Sequence, residues 1–376
     1  MQNVAYQLLI DGSPAPPELI AAVQQIEVED HADLADMMRL RFAFGVAEDG
    51  GWWTLVDEDL FLRLTEIRLV ATVGSSAETL MTGRVIRTSA AFSNRPGESV
   101  LDVVAMDPTV LMNLDEKVRP WPDMSDSEIA TAILSESAYG LAPVVEETKV
   151  HRMLADYQVM QRGTDIQFLR HLARRNGFEC YVEVNPESGD PEGHFHAPDP
   201  DQKAQGVLSV NLGESTNVNT FEASYDMIRP GGATAAALDI ETRSEQTASV
   251  GEAQLTQLGE HSPLGGKHPR TVLLSQTGLS ETAELQAVAQ ATVDHLAWAI
   301  RAEGELNTVA YGGILRAKRP IQVRGAGLQF SGTYYVERVL HTLTADGYEQ
   351  RFSLRRNALG IPRTETFVDV GKRAQR

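Results

Sequence analysis

Phe330–Asn357, FSGTYYVERVLHTLTADGYEQRFSLRRN, is the stretch whose reading decides the fold. Asp346-Gly347 between two apolar runs is a hairpin signal, so two long strands are expected, joined at Ala345-Asp346-Gly347. Side chains alternate along a strand. Phe352 and Leu354 should therefore share one face of the second strand, with Arg351, Ser353 and Arg355 on the other. On the first strand Tyr334, Val336 and Leu340 share a face with Arg338, a mixed pattern. Such a sheet packs on one side and meets water on the other, like a barrel wall.

Working outward, the first 115 residues also read as β structure. Met38, Leu40, Phe42 and Phe44 alternate with Arg39, Arg41 and Ala43, a half-buried strand. Similar runs occur at Gln24–Val28, Leu60–Leu64, Ile67–Val73, Met81–Ser89 and Val100–Met106, separated by turn material such as Asp11-Gly12-Ser13-Pro14. Strands at this spacing suggest a barrel or sandwich.

Between about 116 and 200 the texture is α/β. A helix is expected over Asp126–Ala138, capped by Ser125 or Asp126, and a second begins at Thr164, where Gln167 completes a capping box and Gly177 ends it. The strand Phe178–Val184 should follow, with one apolar face. Residues 207–229 return to extended character, and 233–280 read as long loops or an insertion. Glu281–Arg301 should be the longest helix. The domains are thus expected at 1–115, 116–200 and 201–357, with a tail over 358–376. No short-period repeat is visible, but the two β regions are compatible with distant copies of one fold.

Composition narrows the function classes. At 42% hydrophobic and 23% charged residues the chain is of ordinary globular type. No apolar run approaches the roughly 20 residues that span a bilayer, so membrane insertion is not expected. The start lacks a basic segment before an apolar core, so no secretory signal is read there, and cytosolic synthesis fits best. Cys180 is the sole cysteine, which excludes internal disulfides and cysteine-based zinc sites. A net charge of −19 argues against direct nucleic-acid recognition; it fits either plain solubility or an acidic channel for anionic cargo.

Two segments resemble a known family. Met160–Glu183, MQRGTDIQFLRHLARRNGFECYVE, is similar to the helix–strand element of the phage late control D and VgrG superfamily. That family supplies hub proteins of contractile tails, type VI secretion spikes and extracellular injection systems. Its second tube-like domain ends in a pattern matched here by Gly332, Tyr334, Tyr335, Val336 and His341, then Gly347, Tyr348, Phe352 and Leu354, preceded by Pro320–Gly325. The resemblance implies a mainly β chain with an α+β connector and two tube-like antiparallel β-barrel domains. Three chains would give six such domains, a baseplate hub and symmetry adaptor between a sixfold inner tube and a threefold spike. The implied partners are two further copies, an inner tube protein, a separate spike protein and baseplate proteins, within a phage-tail-like particle. An interface is expected on exposed Tyr334, Tyr335, Val336, His341, Phe352 and Leu354. Unlike fused spikes, the sequence carries no needle-like repeat, and Gly360–Arg376 reads as a docking tail.

Several residues could carry chemistry instead. His194 and His196 share a strand face, a spacing seen in metal sites, with Asp199 and Asp201 nearby; two surface histidines in a hairpin are the commoner outcome. Asp30-His31 and His261-Ser262 lack a Gly-x-Ser-x-Gly elbow. Gly265-Gly266-Lys267 lacks a P-loop frame. Trp52-Trp53 is an aromatic pair for a glycan binder or, more simply, a loop anchor on the first barrel. No catalytic, cofactor or metal residue is assigned, and no cofactor is expected. The competing reading is a tail-associated or secreted polysaccharide or cell-wall hydrolase, with an acid/base carboxylate pair.

Overall fold

A computed structural model describes residues 4–46, 53–95, 97–152, 159–185, 189–238, 243–264, 269–275 and 281–361 of the 376-residue chain. Trp52, Gly265-Gly266-Lys267 and the tail beyond 361 lie outside the described residues. The fold is mainly β, with several antiparallel sheets and an α/β connector. Its backbone is one thirteen-stranded sheet that draws strands from both ends of the chain.

That sheet is built twice over. In the first half the strands lie side by side in the order Val23–His31, Met37–Ala43, Val100–Met106, Ser76–Ala91, Glu66–Val73, Val4–Ile10. In the second the order is Val218–Tyr225, Ile300–Asn307, Gly347–Arg356, Gly332–Thr344, Pro320–Arg324, Val207–Ser209. Numbered along the chain, the two halves give the same permutation. The registers coincide as well. Gln24 and Asn219 are the extra residues of bulges at the same place in their strands, and so are Ile86 and Glu337. A bulge adds one residue and re-aims the rest of its strand, so four bulges in two matched pairs mark a duplicated design. The halves differ at the far edge: Val4–Ile10 pairs antiparallel with its neighbour and carries the short thirteenth strand Ser13–Pro14 outside it, whereas Val207–Ser209 pairs parallel.

The halves are fused where Arg338–Thr344 pairs antiparallel with Gln25–His31. The Gly332–Thr344 strand bends at its bulge and serves two neighbours: its start pairs with Pro320–Val323 and its remainder with the first half. Each half has its own apolar core, and the first core is sealed by Ile314, Leu343 and Tyr348 from the second half. A third core lies in the connector, around Trp121, Ile129, Leu169 and Phe195.

Several expectations are corrected here. The Glu337 bulge shifts the phase of its strand: Tyr334 and Val336 point inward before it, Val339, His341 and Leu343 after it, while Arg338 and Leu340 turn outward. Tyr334, Tyr335, Val336, His341, Phe352 and Leu354 are all at most 3% exposed. They are core residues of the chain, not an exposed interface: Tyr334, Val336, Phe352 and Leu354 face the second half's own core, and Tyr335 packs against Trp298 and Ala32 and bonds to Glu179 of the connector. Arg355 is buried as well, against expectation. Leu60–Leu64 is a 3₁₀ turn at Asp59–Phe61 followed by Leu64 at φ 66°, a conformation that ends extended structure. The 233–280 region is not loop throughout: Gly232–Leu238, Glu245–Val250 and Thr271–Leu274 form a separate three-stranded sheet, while the described residues 251–264 between them hold no helix or strand. The helix Thr282–Ala297 covers it through Leu285, Ala289 and Val293, its pattern hidden by small alanines. That helix stops at Ala297, because Ile300–Asn307 is needed as a strand of the second half.

The connector keeps its expected signals. Ser125 caps Asp126–Leu134 in a reciprocal capping box with Glu128. Thr164 accepts from the Gln167 N–H, one half of the expected capping box without the return bond, and Gly177 at φ 73° closes the helix Asp165–Asn176. Glu179–Val184 comes next, buried on both faces over Glu179–Val182 rather than on one.

Candidate functional site

The most concentrated polar chemistry sits where the two halves and the connector meet. Asp30 continues the inward row Ile26–Val28 of its strand, so alternation alone drives its carboxylate into the interior. Three donors from the second half meet it: Arg316 Nε at 2.9 Å, the Ala317 N–H at 3.0 Å and Lys318 Nζ at 2.7 Å. Lys318 also reaches Asp36 Oδ2 at 3.2 Å and lies 5.0 Å from the centre of the Tyr181 ring. Arg316 donates to the Thr79 carbonyl at 2.8 Å. Arg319 pairs with Glu183 of the connector at 2.6 Å.

The loop that carries these cations is held from behind. Gln350 is fully buried, accepts from the Leu315 N–H at 2.7 Å and donates to Thr308 Oγ1 and the Gly313 carbonyl at 3.1 Å. Lys318 sits at φ 66°, a left-handed conformation costing a side-chain-bearing residue on the order of 1 kcal/mol or more, which the surrounding bonds offset.

Electrostatics agree with the geometry. Burial works to raise Asp30, but Lys318 and Arg316 outweigh it and hold the carboxyl well below its ordinary range. Asp36 and Asp107 move the other way, pushed up by burial, which Lys318 partly offsets at Asp36 and the bonds from Thr109 partly offset at Asp107. Asp107 accepts from the Asp36 N–H at 2.8 Å and from Thr109. His341, fully buried beside this cluster, is pushed down to about 3 by burial and by Arg316, and its Nδ1 meets Tyr348 Oη at 2.7 Å.

A second node ties the connector to the terminal hairpin. Glu179 is ion-paired with Arg355 and accepts from Tyr335 Oη at 2.7 Å. The Arg355 guanidinium lies over Trp298 at 4.7 Å and over Tyr335 at 5.0 Å. Arg356, next in sequence, is fully buried on the other face and donates to the carbonyls of Leu258 and Ser331. Both nodes are built from charge pairs far apart in sequence; Asp30 and Arg316 are 286 residues apart. Removing one partner of such a pair strands the other charge, so the nodes act as latches on relative orientation.

The candidates for chemistry share a cleft in one case, without converging on a point, and are separate in the others. His194 stacks on Tyr181, ring centres 4.6 Å apart, and is pushed down to about 4 by burial and His196. His196 donates from Nδ1 to the Ala197 carbonyl at 2.7 Å and accepts at Nε2 from Tyr181 at 3.1 Å. They line an open cleft of about 620 Å³ with Asp199 and Asp201. Among the described residues no group of three metal-ligating side chains converges. Asp30 belongs to the latch, while His31 Nδ1 accepts from the Asp33 and Leu34 N–H groups. Ser262 donates to the Leu264 carbonyl, away from catalytic geometry with His261. Trp53 packs edge-on against Phe44 and Phe92, a loop anchor on the first half. Cys180 is buried, its thiol pushed up to about 12 by desolvation.

Sequence reasoning missed the latch residues Asp36, Glu179, Arg316 and Lys318. Asp30 and Arg356 carried a usable signal, since each lies two residues beyond an inward apolar position.

With this geometry in hand, known structures supply a fold. The 43 kDa tail protein of prophage MuSo2 from Shewanella oneidensis matches with a TM-score of 0.66 at 12% identity, over 94% of this chain and 99% of that one. A tail protein from Neisseria meningitidis MC58 matches equally, TM-score 0.66 at 12% identity, over 96% and 100%. An E. coli component of the type VI secretion system, described as structurally similar to the T4 tail proteins gp27 and gp5, matches at TM-score 0.57 and 13% identity, over 94% and 78%. The fold is thus shared with phage tail proteins and a type VI secretion component. No curated protein matches the sequence. The family model for the Alg8 N-terminal domain matches residues 1–345, and the chain belongs to the Alg8 N-terminal domain family.

Proposed function

We propose that this chain is a non-catalytic structural hub of a contractile tail or injection-system baseplate, acting as a homotrimer. The observation that carries the reading is the duplication: two halves of one sheet with the same strand order and matched bulges, latched by buried ion pairs to Asp30. Two equivalent units per chain convert a threefold arrangement of chains into a sixfold arrangement of units without any reaction. The near full-length likeness to phage tail proteins supports it. On this reading 1–115 and 201–357 are the tube-like domains, 116–200 is the connector and 358–376 is a tail for a separate spike. The partners are an inner tube protein above, a spike below and baseplate proteins around, in a phage-tail-like particle. Among the described residues no helix is long and apolar enough to cross a membrane.

Light scattering with negative-stain averaging tests this. A species near three times 41.1 kDa with a central hole and a six-lobed outline is expected. A monomer that stays monomeric in the presence of tube and spike proteins would overturn it. Polysaccharide hydrolysis abolished by one carboxylate substitution would favour the hydrolase instead.

A further inference from the structure

The duplication makes the joint inside the chain a template for a joint between chains. Inside the chain, Arg338–Thr344, the stretch after the Glu337 bulge, pairs with the strand Val23–His31. Its counterpart in the first half is the stretch after the Ile86 bulge. Arg87–Ala91 pairs with Val100–Val104 on one side, and on the other side no strand pairs with it among the described residues. The counterpart of Val23–His31 is Val218–Tyr225, which pairs only with Ile300–Asn307 among the described residues and is the other open edge. We infer that Arg87–Ala91 of one copy pairs antiparallel with Val218–Tyr225 of a second copy, continuing the sheet from chain to chain.

Carrying the internal register across sets each residue opposite a named partner. Arg338 opposite His31 becomes Arg87 opposite Asp226, an opposite-charge pair. His341 opposite Val28 becomes Ala90 opposite Ala223. One residue past the strand end, Leu343 opposite Ile26 becomes Phe92 opposite Phe221. The internal bond from the Ala32 N–H to the Glu337 carbonyl becomes one from Met227 to Ile86.

The surfaces fit this occupant. Ile86, Phe92 and Met227 are 39%, 57% and 70% exposed although apolar, and Phe221, Ala223 and Tyr225 remain half-covered at the rim of the second core. In the internal joint the same rim is closed, with Ile26 and Val28 fully buried. Each copy offers one edge of each kind, so the contact is heterologous and propagates head to tail until it closes a ring.

This rests on the trimeric hub reading, and cysteine pairing separates the two. Ala90→Cys and Ala223→Cys are made singly and together in the full chain, where native Cys180 is buried. Under mild oxidation, mixed single variants should give a covalent dimer, while each alone gives none. The double variant should give a covalent species of the same number of chains that light scattering finds for the unmodified protein. Asp226→Arg should weaken assembly at least tenfold, and Arg87→Asp in the same chain should restore it, which misfolding would not produce. A trimer that forms but never cross-links at this pair overturns the inference and leaves the hub reading standing. Absence of any self-association, with tube and spike proteins present, overturns both.

Discussion

The two β halves reach one architecture with different side chains, and a single matched position shows how. In the first half Leu40 stands opposite Val103; in the second the equivalent pair is Gly304 opposite Phe352. Leu40 and Val103 are fully buried. A Cβ on Gly304 would collide with the Thr220 carbonyl and lie 2.7 Å from Phe352 Cζ, so the aromatic ring occupies the room that a leucine fills in the other half. Volume has moved across the strand pair while register and bulges have stayed. What is shared between the halves at this position is therefore backbone register and the filled space, not residue identity.

The sharpest challenge to this comparison is at the joint, where the halves depend on each other through charge. Lys318→Met should destabilise the fold by about 3–5 kcal/mol, because Asp30 and Asp36 lose a buried cation. Urea unfolding checks this, and a loss below about 1 kcal/mol would mean that the latch does not join the halves.

The swap across the strand pair comes next. Leu40→Ala should cost about 2–5 kcal/mol by opening a cavity. Gly304→Ala should cost about 1–3 kcal/mol by overpacking, and less in a Phe352→Val background, where the ring has gone. Equal costs for Gly304→Ala in both backgrounds would place all of the crowding at the Thr220 carbonyl.

At the seam itself, His341 sets a pH dependence. Its folded value, near 3, lies below its ordinary 6.5, so the unfolded chain binds the proton more readily. The stability it contributes is complete above pH 6.5 and drains away as pH falls toward 3. Between pH 6.5 and 5 the loss should be about 2 kcal/mol, and His341→Gln should flatten that limb. Denaturation midpoints at fixed ionic strength report the difference between the two proteins.

The smallest effect belongs to the outer side of the same seam. Arg338 pairs with Glu29 at 2.6 Å, both partly exposed. Arg338→Ala should change stability by less than about 1 kcal/mol, with most of that gone in high salt. A double-mutant cycle with Glu29→Ala isolates it.

Much of this fold was legible in residues. Asp346-Gly347 between apolar runs, Ser125 and Thr164 before amphipathic stretches, and Gly177 after one each encode a local geometry, and local geometry is what a sequence shows. The bulge at Glu337 was not legible, since no glycine or proline marks it, and missing it put Leu340 on the wrong face. The duplication was open to the sequence only as a possibility; its register was not legible, because Leu40 and Gly304 look unrelated until strand pairing aligns them. The buried cations escaped for a third reason: Arg355 lies at an alternation position that normally faces water, and its partner Glu179 is 176 residues away in the connector.

The seam between the halves also sets a timetable. Val23–His31 leaves the ribosome long before the strand that covers it, since even Asp30 must wait 286 residues for Arg316. At about 5–20 residues per second that is on the order of 15 to 60 s with an unpaired edge. Over that interval Glu27, Glu29 and Asp30 lie along the waiting strand, and acidic side chains on an open edge discourage pairing with a neighbouring nascent chain. The carboxylate that later locks the finished molecule thus first serves as a guard against premature partners.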